Sequence, residues 1–190
     1  MSYRFIPSVE TVRFMNKPVR TEDVEEFIRI HPQLKNVSIE EGLIGHISPI
    51  SSLYEMERVV LCYFPHSFLH FLQHFKGKIA VFFNEAEEHC YTFLEKWFRG
   101  EYSDNLRHVM IQLPLFDHFN DDVYTRFGGK PWNTKTMPKW YPHNEKTYCY
   151  EFWTRSFLSC ENTFYKKRES DGRIAMLKVT GRRLILLSMG

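Results

Sequence analysis

Three histidines, His66, His70 and His74, recur at i, i+4 and i+8 within HSFLHFLQH. On a helix that spacing confines them to about 80° of arc, so neighbouring pairs could ligate one metal ion. A small metal-dependent enzyme built on this stripe is one function the sequence admits. The alternative is a solvent-facing stripe, because Phe68, Leu72 and Phe75 take the opposite side and no HExxH glutamate accompanies the histidines. His89-Cys90 suggests a thiol nucleophile. Adjacent helical residues diverge by about 100°, however, so His89 is badly placed as the base, and Cys90 lies on an apolar stripe as a small hydrophobe. The basic runs Lys166-Lys167-Arg168 and Arg182-Arg183, with many aromatics nearby, could hold single-stranded nucleic acid by charge and stacking. Glu85, Glu87, Glu88, Asp117, Asp121 and Asp122 offset them, and Lys166 and Arg168 share one strand face, which points to a solvated outer side. No Walker loop, GxGxxG, GxSxG or CxxC pair appears. We expect no catalytic residue, no metal site and no cofactor.

Binding chemistry is better represented. Trp132, Trp140 and Tyr141 fall in a stretch rich in glycine and proline. Exposed Trp and Tyr are favoured anchors for a protein partner. The other reading of the same three residues is that they fold back as core.

A repeated hexad supplies the frame that would position these groups: apolar, two variable residues, Val, one variable residue, apolar. It occurs as Val9-x-x-Val12-x-Phe14, Leu34-x-x-Val37-x-Ile39, Met56-x-x-Val59-x-Leu61 and Leu106-x-x-Val109-x-Ile111. A further copy, Lys78-x-x-Val81-x-Phe83, lacks the first apolar residue. The valines lie 25, 22, 22 and 28 residues apart, within the spacing of leucine-rich repeats. Residues two apart on a strand share a face, so each Val and its following apolar residue point into one core.

Helix signals fill the gaps. Thr21, followed by Glu22 and Asp23, reads as an N-cap with acidic residues at the positive end of the dipole, and Pro32 stops that helix. Asn84 and Glu87 resemble a capping box; Cys90, Phe93, Leu94 and Trp97 then form an apolar stripe that Gly100 ends. Pro65 opens another helix reaching about Phe75, and the gap from 48 to 55 carries the weakest helical pattern. Alternating strands and helices favour a parallel sheet backed by helices. The fold expectation is therefore α/β: leucine-rich-repeat-like strand-helix units over 1–113, an irregular connection over 114–147, and an antiparallel β-meander over 148–190. The meander runs are 148–153, 163–168, 174–179 and 184–188, with Asp171-Gly172 and Thr180-Gly181 as turns.

Two segments resemble a known family. FNEAEEHCYTFLEKWFRGEYSDNLRHVMIQL (83–113) is similar to the part of the nematode-type F-box-associated domain in which a helix with F-L-x-x-W leads through a Gly turn to N-L-x-x-x-x-I. The matching residues are Phe93, Leu94, Trp97, Gly100, Asn105, Leu106 and Ile111. The ending YKKRESDGRIAMLKVTGRRLILLSM is similar to that family's R-x-x-D-G-x-x-A strand pair through Arg168, Asp171, Gly172 and Ala175. The resemblance, over 83–190, implies the substrate-recognition region of an F-box-type ubiquitin-ligase receptor. The chain opens directly into the repeat and carries no F-box. Contact with a Skp-type adaptor and a cullin ligase is therefore expected only where an F-box is supplied.

Composition fits a binding module. Apolar residues form 43% and charged residues 25%, so the chain can build a core; a formal charge of +2 is too small to mark a nucleic-acid partner. No run is long enough for a membrane span, no signal peptide is apparent, and four cysteines lie far apart. An intracellular protein with free thiols, binding another protein, is expected.

Overall fold

A computed structural model of the chain describes residues 8–63, 68–114, 119, 123–135, 137–142 and 157–189. Its frame is one mixed sheet of nine strands. The parallel half contains β1 (Thr11–Phe14), β3 (Asn36–Ile39), β5 (Arg58–Cys62), β6 (Ile79–Phe83) and β7 (His108–Gln112), side by side in that order. The antiparallel half continues it with β13 (Arg183–Met189), β12 (Ile174–Thr180), β11 (Phe164–Lys167) and β8 (Lys130–Pro131). Short pairs join β2 (Val19–Arg20) to β4 (Leu43–Ile44) and β9 (Trp140–Pro142) to β10 (Phe157–Ser159).

Strand order in the parallel half never reverses, so successive crossovers return over the same face. That face carries α1 (Thr21–Ile30), a 3₁₀ turn at Ser52–Glu55, α2 (Phe68–His74), α3 (Glu87–Arg99) and α4 (Val123–Arg126). The main core lies between these helices and the sheet residues Val37, Ile39, Val59, Leu61, Ala80, Phe82, Val109 and Ile111. On the opposite face Val60, Val81, Met110, Met176 and Ile185 form a second core with Trp132 and Cys160. Burial on both sides explains why the central strands read as continuous apolar runs.

The five valine-centred strands thus belong to one sheet, with one correction of register. Val37, Val59, Ala80 and Val109 are successive Cα partners; Val81 instead pairs with Val60 and Met110, on the other face. The hexad in β6 begins at Gly77, one residue earlier than its sequence suggests. Phe75, fully buried, fills the volume that Leu34, Met56 and Leu106 fill in the other copies. The strand entries are also stitched together: Lys35 N–H and Asn36 N–H donate to Glu10 O, Arg58 N–H to Lys35 O, Lys78 N–H to Glu57 O, and Arg107 N–H to Lys78 O. Side chains repeat the pattern, with Lys35 Nζ 2.9 Å from Glu10 and Lys78 Nζ 2.8 Å from Glu57.

Local chemistry differs from the expected caps. Thr21 is the first helical residue of α1, buried, and its hydroxyl donates to Ile44 O at 3.1 Å; Arg20 occupies the cap position. Asn84 does not cap α3, which starts after Ala86 without a side-chain cap; Asn84 takes a left-handed turn at φ 64° instead. Gly100 ends α3 as expected, at φ 81°, with Glu101 N–H reaching Lys96 O and Gly100 N–H reaching Trp97 O, both at 3.0 Å. Pro65 lies outside the described residues.

Within the span 114–147, expected as an irregular connection, the described residues include α4, β8 and β9. Pro131 fits β8 because that strand is at the sheet edge, where a missing N–H costs no ladder bond. Of the meander, 164–189 forms as anticipated. Gly181 at φ 56° opens a two-residue turn between Thr180 and Arg183, which face each other. The meander hydrogen-bonds directly to β7 through β13 and so continues the sheet beyond the last parallel strand. The run 148–153 lies outside the described residues.

Candidate partner-binding surface

The groups that suggested catalysis are placed as packing and surface. His70 and His74 are exposed on α2 with ring centroids 4.9 Å apart, and His74 leans on Tyr54 at 5.3 Å. His66 lies outside the described residues. Among the described residues no three His, Cys, Asp or Glu side chains gather into a metal-holding group. Cys90 is fully buried and donates its S–H to Ala86 O at 3.4 Å. Burial, reinforced by the charges of Glu85 and Glu87, pushes its pKa far above the ordinary thiol value, which suppresses the nucleophilic thiolate. Cys62 and Cys160 are also buried, and neither is in a disulfide.

Lys166 and Arg168 do not share a solvated face, although Lys167 between them is exposed. Arg168 is only 2% exposed. Its guanidinium is held by Asp171, with Nε donating to Oδ1 at 3.0 Å, and by Asp104, and it lies 5.3 Å over the Trp97 ring. Lys166 Nζ sits 4.5 Å over the Phe98 ring. Both cations face α3 because the chain after β11 runs along the end of that helix, where Glu169 N–H donates to Phe98 O at 2.8 Å.

The three sequence-selected aromatics divide. Trp132 is 8% exposed, packs edge-on against Tyr165 at 6.2 Å, and donates its indole N–H to Pro138 O at 2.9 Å. It is core of the second sheet face. Trp140 and Tyr141 lie in β9, opposite Ser159 and Leu158 of β10. The Trp132–Pro138 bond ties the residue after β8 to the segment leading into β9.

A surface that sequence patterns did not mark lies at the C-terminal ends of the parallel strands. The large exposed hydrophobics among the described residues are Met15 (45%), Ile44 (54%), Ile50 (92%) and Tyr63 (64%). Met15 follows β1, Ile44 lies in β4 just beyond β3, and Tyr63 follows β5; Ile50 lies apart from them, on the loop leading to β5. The chain leaves three of these strands in a left-handed conformation at matching register: Asn16 (φ 71°), Tyr63 (φ 51°) and Asn84 (φ 64°). Asn tolerates that region; a bulky Tyr does so only under strain, which the surrounding structure must impose. Gly42 backs it, since a Cβ there would approach Tyr63 O at 3.4 Å and Tyr63 Cβ at 3.6 Å.

Charge at this end is organised as well. Glu40, 6% exposed, accepts from Arg13 Nε at 2.7 Å and from Ser38 Oγ at 3.4 Å. Glu85, on the β6–α3 connection, is 6% exposed, and burial pushes its carboxyl up to about 7. Beside β1, a cavity of about 470 Å³ has apolar walls from Val12, Phe14, Val19, Phe27 and Ile44. The ends of strands in an open α/β sheet are where its loops converge to form sites. Among the described residues no helix is long and apolar enough to cross a membrane.

Comparison with protein-family models, with curated proteins and with solved structures finds no match to this chain.

Proposed function

We propose that the chain is a protein-interaction module whose contact surface is the set of loops leaving the parallel strands. The observation that carries this reading is Tyr63: a large aromatic, 64% exposed, held in a left-handed conformation at the end of β5. Tyr is a preferred interface anchor, and a preorganised one loses little conformational entropy on contact. Met15, after β1, and Ile44, just beyond β3, add exposed apolar side chains at the same end of the sheet.

The repeat-like register supports a finer reading, in which leucine-rich-repeat-like units carry these loops as a continuous contact face. The motifs around Phe93, Trp97, Gly100 and Asp171 support the F-box-associated resemblance, and with it a role in presenting target proteins to a ubiquitin ligase. Trp140 and Tyr141 stay candidates for the same interface; Trp132 is withdrawn by its burial.

Affinity purification with mass spectrometry tests the reading. The chain should retain a reproducible set of partners that Tyr63→Ala loses, while the melting temperature stays that of the parent. An unchanged set in Tyr63→Ala and in Met15→Ser would refute it. Fusing an F-box to the chain should add ubiquitin-ligase components to the retained set; their absence would sink the ligase role alone.

A further inference from the structure

His70 and His74 sit one turn apart on the exposed side of α2, where the core does not use them. The other side of the helix anchors it: Phe68, Phe71 and Leu72 are buried, and Phe75 N–H donates to Phe71 O at 3.0 Å just past the helix end. That anchoring fixes where the two imidazoles leave the backbone. Their ring centroids lie 4.9 Å apart, with the planes at 59°. The His74 ring also rests on Tyr54, whose buried ring is 5.3 Å away and itself packs on Phe71 at 5.1 Å. Among the described residues neither imidazole has a hydrogen bond or an ion pair to a protein group, so their nitrogens are open to a ligand.

An imidazole nitrogen bonds zinc at about 2.0–2.1 Å. With roughly 1.1–1.2 Å more from nitrogen to ring centre, two rings on one ion stand about 4.5 Å apart at a right angle and about 5.2 Å apart at the tetrahedral angle. The spacing of 4.9 Å on α2 falls between these limits. Histidines at i and i+4 are also the arrangement by which one helix face offers two zinc ligands.

We propose that His70 and His74 form a surface site for one imidazole-preferring divalent cation of the Zn²⁺ class, with water in the remaining coordination positions. His66, outside the described residues, is no part of the site. Among the described residues no third ligand joins the pair, which argues against a structural or catalytic zinc and leaves an exchangeable one. Mg²⁺ and Ca²⁺ are poor fits, because they take oxygen ligands and the site offers two nitrogens. The site is independent of the protein-interaction reading.

Calorimetric titration of the metal-free full chain with ZnCl₂ tests it, together with nuclear magnetic resonance of the histidine ring nitrogens. The ring signals of His70 and His74 should shift together as one ion binds. His70→Ala and His74→Ala should each weaken that binding at least tenfold, and MgCl₂ at the same concentration should not compete. Both rings are exposed and alanine favours a helix, so the melting temperature without metal should match the parent. Should His74→Ala lose stability with its contact to Tyr54, His70→Ala decides, since among the described residues its ring contacts only His74. Zn²⁺ binding undiminished in His70→Ala, or ring signals of His70 and His74 that stay unmoved by Zn²⁺, would overturn the site. Competition by MgCl₂ would overturn its imidazole chemistry.

Discussion

The ring of Phe75 stands in the space in front of Gly77: a Cβ added to Gly77 would lie 2.3 Å from Phe75 Cζ and 2.0 Å from the Met56 carbonyl oxygen. Gly77 is therefore required for room, not for a left-handed backbone. The same relationship explains why the repeat looks broken at β6, since a residue two positions earlier supplies the missing apolar volume.

Gly77→Ala should destabilise the chain by roughly 3 kcal/mol, because neither the buried ring nor the backbone carbonyl can yield cheaply. Phe75→Ala should cost about 3–5 kcal/mol through the cavity it opens. Since the Met56 carbonyl stays where it is, Phe75→Ala/Gly77→Ala should be less stable than Phe75→Ala alone. Urea unfolding of the three variants checks the order; a double variant restored to the stability of Phe75→Ala would show that the ring was the sole obstacle.

Arg168 should govern the acid limb of stability. Its hydrogen bonds hold the Asp171 carboxyl at about 2, below the ordinary value of 3.8. A depressed carboxyl contributes stability that is complete above its unfolded value and is lost as pH falls through the folded one. The loss should therefore fall between about pH 4 and pH 2. In Arg168→Met that part of the melting-temperature profile should flatten. Removing both partners, in Asp104→Asn/Asp171→Asn, should lower the melting temperature more than Arg168→Met, because it leaves a buried cation uncompensated. Equal effects would place the Arg168 contribution in packing over Trp97 instead of charge.

How far the sequence reveals this architecture depends on which signal each element leaves. Val12, Val37, Val59 and Val109 are legible because each is followed two residues later by an apolar partner on the same core face. In β6 all five residues are apolar, so a period of two has nothing to alternate with, and Val81 and Ala80 cannot be told apart. Gly100, Gly172 and Gly181 mark their turns through positive φ, which glycine advertises. Tyr63 adopts the same region with no such mark, so the residue most central to the proposed surface is silent in sequence. Arg168 reads as a surface cation because, Asp171 apart, the groups that receive it, Asp104 and the Trp97 ring, lie far away in sequence. Only the folded chain brings them together.

Glu85 predicts a second pH dependence, of opposite sign. Burial raises its carboxyl from 4.5 to about 7. A raised carboxyl contributes stability that is complete below the unfolded value and is lost as pH rises through the folded one. Stability attributable to this residue should thus decline from about pH 4.5 to pH 7 and stay low above. Glu85→Gln removes the ionisation, so it should raise the melting temperature at pH 8 and leave it nearly unchanged at pH 4. The upper bound on the gain is about 3 kcal/mol, from the size of the shift. A variant that is destabilised equally at both pH values would mean that the carboxyl is held by contacts that an amide cannot reproduce.

Trp132 separates the two roles that an aromatic in this chain can play. Its ring is buried with Tyr165 and Met176 on the second sheet face, and its indole N–H is satisfied by Pro138 O. Trp132→Phe keeps much of the ring volume but abandons that carbonyl, which should cost about 1–3 kcal/mol. Trp132→Ala removes the ring as well and should cost about 3–5 kcal/mol. Neither change touches the loops at the C-terminal strand ends, so partner capture measured well below the melting temperature should persist in Trp132→Phe. Tyr63→Ala should do the reverse, losing capture at full stability. If Trp132→Phe loses capture with its melting temperature intact, the contact surface lies on the second sheet face near β9, and the loops around Tyr63 are not where the partner binds.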